Sequence, residues 1–236
     1  ELFRGLNDVF VAAGVAILGM GGWLLGLAFG QFGPGLMGVI GAWALAEYLT
    51  RRRRMTLPSL LLAIGFTVSA GMVASGVILP SADLYAAQPS VASFAGVTLA
   101  ALAAAVLFFL RFRLPFALFL AALSAYASLL ILLAGDGEAA VQAMIAGGGA
   151  AALFDLGASS AFAIGTLVFG LACFALALSF DLRDPHRVTR LSACGFWLHL
   201  AAGPAIVNTV ALSLLREPLA LSGALMALFL ALLAAL

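Results

Sequence analysis

The sequence predicts an all-α, polytopic transmembrane bundle of about eight spans, and three observations predict it. Hydrophobic residues make up 65% of the 236 residues and charged residues only 9%, against roughly 25% charged in a soluble domain whose surface must be wetted. Apolar runs of bilayer length recur from end to end. The basic residues, all eleven of them arginine, gather at every second connection between those runs, as expected of a chain that crosses back and forth with its positive loops on one side.

A bilayer core about 30 Å thick takes ~20 mainly apolar residues at 1.5 Å rise, and each backbone N–H and C=O must be satisfied within the helix because lipid offers no partner. The runs that fit are Val9–Gly30, Gly35–Leu49, Leu57–Leu79, Val91–Leu110, Leu114–Ala134, Gly157–Phe180, Leu191–Leu215 and Leu219–Leu236. The second is short and needs Gly33, Pro34 or a snorkelling Arg51 to complete its crossing. The first is too long for the 7–15-residue core of a signal peptide and reads as a retained span. Since the sequence opens at Glu1 and closes inside an apolar run at Leu236, we expect it to be a portion of a longer product. Residues 1–236 read as a single integral-membrane domain.

The connections orient the chain. Arg51, Arg52, Arg53 and Arg54 follow the second run, Arg111 and Arg113 the fourth, and Arg183, Arg187 and Arg190 the sixth; with Arg4 before the first, ten of the eleven arginines fall on one face, and Arg216 is the exception. That face is expected to be cytoplasmic, with both ends of the chain on it, in a cell inner membrane. The opposite face carries Asp83, Asp136, Glu138 and Glu217. The apolar stretch Ala139–Leu156, broken by Gly147-Gly148-Gly149, would move the arginines at 183, 187 and 190 outward if it crossed. It is therefore read as an interfacial or re-entrant segment between spans five and six, covered by protein or water. All-arginine basicity with abundant alanine and glycine is also the composition of inner-membrane proteins of high-GC bacteria.

Two turns look alike: Arg54-Met55-Thr56-Leu57-Pro58 aligns with Arg111-Phe112-Arg113-Leu114-Pro115. A repeated two-helix unit would explain this, as would the ordinary preference for proline in a first helical turn. Gly22, Gly26 and Gly30 recur every four residues and Gly35, Gly38 and Gly41 every three. Such spacing lets helices approach closely, so packing of spans one and two, or a homodimer or membrane-protein partner docked through them, is expected.

Most charges have an ordinary role. Asp8 stands four residues after Arg4 and Glu47 four before Arg51, spacings that place each pair on one helical face. Asp181 and Asp184 read as solvation and capping in an arginine-rich turn. The run Arg51, Arg52, Arg53, Arg54 serves topology, or binds anionic lipid head groups at roughly 1 kcal/mol per arginine. His199 lies about 12 Å inside span seven at helical rise and shares a face with Ser192, Gly195, Ala202 and Gly203. Asn208 falls on the opposite face with Trp197, Ala201 and Pro204. Intramembrane polar groups are candidate sites by default, so His199, Asn208, Ser192 and Trp197 are the candidate ligand-binding residues; the competing reading is interhelical hydrogen bonding alone.

Several chemistries lack their parts. The chain has two histidines, His186 and His199, both in or at the entry of one span, and no lysine for a covalent retinal. It has no paired mid-membrane carboxylates, no metal-ligand spacing and no glycine-rich loop after a strand. Cys173 and Cys194 lie in apolar segments and read as packing residues. We expect no enzymatic activity, no cofactor, no metal and no nucleic-acid partner. The lipid bilayer is the expected surrounding, and the function is either transporter-like with small-ligand or lipid binding, or that of a non-catalytic accessory or scaffold subunit of a larger membrane complex.

Overall fold

The computed structural model describes residues 2–78, 90–135, 153–154 and 160–214, with single positions at 223, 227 and 230. These residues form helices and no strand. In chain order the helices are α1 (Leu2–Leu27), α2 (Gly33–Ala46), α3 (Thr56–Ile78), α4 (Val91–Phe112), α5 (Phe116–Ala134), α6 (Ser160–Arg183) and α7 (Arg190–Leu214). All but α2 are long and apolar enough to span a bilayer. The shortfall of α2 is met by a π-helical stretch, Glu47–Arg52, that carries it on to the arginines. The eighth predicted run, Leu219–Leu236, and the segment Ala139–Leu156 lie outside the described residues, apart from 153–154 and the three single positions.

Side-chain contacts place the three arginine-rich turns at one end of the bundle. Glu47 Oε1 receives Arg111 at 2.6 Å, joining the α2–α3 turn to the α4–α5 turn. The rings of Phe116 and Trp197 meet at 4.8 Å, joining the start of α5 to the early part of α7. The start of α1 is brought to the same end because Asp8 Oδ2 accepts from the Thr56 N–H at 3.1 Å and from its hydroxyl at 3.3 Å. Asp8 thus satisfies a free amide at the start of α3; the side chain of Arg4, its expected partner, lies outside the described ones.

Helices α5 and α6 are antiparallel. Tyr126 bonds to Thr166, the Leu133 side chain occupies the space beside Gly165, and Ala122 packs in one cluster with Cys173. The end of α5 and the start of α6 therefore lie at the same end of the bundle, opposite the arginines.

Two apolar cores meet on α5. The larger packs α2, α3 and α4 around Phe108, which is fully buried. Its ring lies 5.6 Å from Phe66 and 4.5 Å from Phe112, while Trp43 sits 5.3 Å from Phe66 and 5.2 Å from Phe112. The smaller joins Ala122 of α5 to Cys173 and Ala177 of α6 and to Leu198 and Ala202 of α7.

The glycines redistribute the packing expected of spans one and two. Gly26 abuts Gly33 and Pro34: a Cβ on Gly26 would lie 2.5 Å from the Pro34 nitrogen, and one on Gly33 would strike the Gly26 carbonyl. This backbone contact closes the α1–α2 hairpin, with Gly30 at φ 79° in the turn. Gly35 and Gly38 instead face α3, against Val73 and Ser69, and nothing stands within 4 Å of a Cβ at Gly22 or Gly41.

The three non-glycine residues of positive φ among the described residues are arginines, Arg54, Arg113 and Arg187, one in each turn of the arginine end. Arg113 ends α4 in the left-handed conformation, its N–H bonded to Phe109 O at 2.7 Å. Arg54 stands four residues before Pro58, but Arg113 only two before Pro115. The two similar-looking turns are thus built differently, and the resemblance does not extend to turn geometry.

Candidate functional site

Helices α6 and α7 form the most extensively packed hairpin of the bundle, and small residues permit it. A Cβ on Gly170 would lie 2.8 Å from Ile206 Cγ1, and one on Gly195 would lie 2.5 Å from Asp181 Oδ1. The missing side chain at Gly195 is what admits the Asp181 carboxylate to the face of α7. There Asp181 Oδ2 stands 2.8 Å from His199 Nε2. An ionised carboxylate only accepts hydrogen bonds, so an ionised Asp181 requires the proton on Nε2. The rest of the bundle leaves 35% of the His199 side chain and 30% of the Asp181 side chain uncovered. The His199 ring packs edge-on to Phe174 at 5.4 Å, and Cys194, Leu198 and Ala202 are buried along the same helix.

The turn that registers this hairpin is held by Asp184. Its carboxylate accepts from the Thr189 hydroxyl at 2.7 Å and from the N–H groups of Thr189 at 2.7 Å and Val188 at 3.1 Å. The Thr189 hydroxyl, more than any other group, holds the Asp184 carboxyl below its ordinary value; burial opposes this, and the Thr189, Val188 and Ser192 N–H groups assist. A depressed carboxylate stabilises the fold above its unfolded value, and that contribution disappears as pH falls through the folded one. Asp184 holds the turn itself, and the Leu191 N–H at the start of α7 is met instead by the Thr189 hydroxyl at 3.2 Å.

The predicted ligand-binding residues do not converge. Ser192, in the first turn of α7, is half-buried. Trp197 turns toward α5, against Phe116 and, at 5.7 Å, Phe119, with Phe196 at 5.4 Å. Asn208 is exposed, as is Pro204. Only His199 meets a titratable partner, and that partner, Asp181, had been read as part of a solvated turn. Its signal in the sequence was a carboxylate inside the apolar end of a span, 18 residues before His199 across a hairpin.

Sequence reasoning also missed an uncharged polar layer in the membrane interior. Tyr126 and Thr166 share a hydrogen bond of 2.8 Å between α5 and α6, and Ser128 donates to Thr98 at 2.8 Å between α5 and α4. Hydroxyl groups are unremarkable in sequence, yet bonds of this kind bind helices together in lipid.

At the arginine end, Arg51 pairs with Glu47 at 3.2 Å, the i,i+4 contact expected, and Glu47 is shared with Arg111. Arg53 donates to the Tyr48 hydroxyl at 2.9 and 3.1 Å and lies over its ring. Arg52 and Arg54 are exposed. Among the described residues no group of three His, Cys, Asp or Glu side chains could hold a metal ion. Comparison with protein-family models, curated proteins and solved structures matches none of them to this chain. The helices make it a multi-pass membrane protein.

Proposed function

We propose that the chain is a non-catalytic inner-membrane protein of bacterial type that handles a small ligand in transporter-like fashion at the α6–α7 hairpin. The observation that carries this reading is the Asp181–His199 pair, in which an acid and a base on facing helices meet at 2.8 Å near the arginine end of two spans. Ionisable groups within spans mark ligand and ion pathways. A thermal-shift screen of small polar metabolites tests it: compounds should raise the melting temperature of the wild type but not of His199→Leu. If no compound acts, or if the variant responds like the wild type, the hairpin does not hold a small ligand.

The proposed topology has eight spans, with Leu219–Leu236 as the last and the segment between α5 and α6 interfacial or re-entrant. Both ends and the arginine end face the cytoplasm, where Arg52 and Arg54 are free to meet anionic head groups with Arg51 and Arg53. Reporter fusions after Arg54, Arg113 and Arg187 should all give a cytoplasmic signal. A periplasmic signal from the third alone would show that the segment after α5 crosses.

The accessory-subunit reading is favoured by α1. Gly14, Gly19, Gly21 and Gly22 have open space where a Cβ would sit, and Phe10, Ile17 and Met20 are exposed beside them. A second copy or another membrane protein docked there would appear as a stoichiometric partner on purification in mild detergent.

A further inference from the structure

The contact between Asp181 and His199 is a direct hydrogen bond of 2.8 Å, so no heavy atom fits between the two groups. What the pair can take from solution without breaking is a proton. The carboxylate fixes the proton on Nε2, which leaves the Nδ1 lone pair as the vacant position, and no other hydrogen bond engages the ring among the described residues. We propose that the pair is a proton-binding site opening toward the arginine end of the bundle, loaded and unloaded at Nδ1 while Nε2 remains bonded to Asp181. This rests on the hairpin being the functional site and names what it takes up.

The step balances simply. A hydronium ion from the arginine-end solvent gives its proton to Nδ1, an N–H bond forms, water leaves, and the pair passes from a charge of −1 to neutrality. Release reverses it. No redox partner or cofactor enters.

The surroundings leave the pair as the group that changes charge. On α6 the other titratable residues are Cys173, which is buried, and Arg183; on α7 they are Cys194, also buried, and Arg190. Helix α5 brings no charged residue and one tyrosine, Tyr126, bonded to Thr166. The turn holds Asp184, occupied by Val188 and Thr189, and the exposed His186 and Arg187. The uncharged polar layer of Tyr126, Thr166, Ser128 and Thr98 lies deeper in the bundle, so the proton enters and leaves at the arginine end.

The test uses the whole chain in lipid nanodiscs with His186→Gln, which leaves His199 as the single histidine, and reads its imidazole nitrogens by 15N NMR. The expected result is a ring protonated at Nε2 alone at high pH that gains one proton at Nδ1 as the sample is acidified. In Asp181→Asn, which removes the carboxylate, the single-tautomer signal should be lost. A ring that stays neutral throughout the acidification, or one with the same tautomer in Asp181→Asn, would overturn the proposal. The readout is independent of the ligand screen. A titrating ring with no ligand response removes the ligand reading and keeps the proton site, and a ligand response with a silent ring does the reverse.

Discussion

Gly33→Ala should be the most damaging glycine-to-alanine change among the described residues, lowering stability by about 2–3 kcal/mol, the upper range for overpacking. The added Cβ would strike the carbonyl of Gly26, which is backbone and cannot rotate aside, and Gly26 itself has the Pro34 nitrogen 2.5 Å from its own Cβ position. Relief requires α1 and α2 to separate along the hairpin. Gly22→Ala, one turn away in open space, should leave stability unchanged within a few tenths of a kcal/mol. Melting of the purified variants in one detergent checks both. Equal effects at the two sites would show that the Gly26–Gly33 contact is not what closes the hairpin.

Phe108→Ala should lower stability by about 2–4 kcal/mol. A Phe→Ala change in a water-soluble core costs about 3–5 kcal/mol. In a bilayer the part due to transfer from water is small, because lipid is as apolar as the core, so the loss comes mainly from packing. Phe108 is fully buried, and its ring holds Phe66 and Phe112 together across α3 and α4. Phe10→Ala, at a ring 73% exposed, removes the same atoms and should be nearly silent. Chemical or thermal unfolding of the two variants side by side decides this, and comparable losses would mean that the aromatic cluster does not organise the bundle.

The helices of the described residues were legible almost to their ends. The expected Leu57–Leu79 is Thr56–Ile78, Val91–Leu110 is Val91–Phe112, and Leu191–Leu215 is Arg190–Leu214. The first helix begins earlier than expected, at Leu2 rather than Val9, because hydropathy marks where a helix enters lipid and not where its hydrogen bonding starts. The π-helical end of α2 was not legible, since one wider turn leaves no mark on hydropathy.

The candidate site was legible in half. His199 stood out as a lone polar group in an apolar span, but its partner did not, because Asp181 lies within two residues of Arg183 and three of Asp184, where a charge looks solvated. Ser192 was grouped with His199 by helical face, and Trp197 and Asn208 by lying in the same span; in the structure Trp197 packs against Phe116 and Asn208 is exposed.

The sequence by itself determined the apolar helices and the gathering of arginines at alternate connections. Both follow from local physics: about twenty apolar residues satisfy a bilayer one helix at a time, and a charge near a helix end is read where it stands. Tertiary structure alone decided which helix faces which. Asp8 reaches the start of α3, Gly35 and Gly38 receive α3 rather than α1, and Asp181 meets His199. A soluble helix announces its inner face by amphipathicity, but a span is apolar all round. Its rotation is set by where small residues and hydrogen-bonding groups find complements on a neighbour, which is a property of pairs of helices and becomes visible only once they are packed.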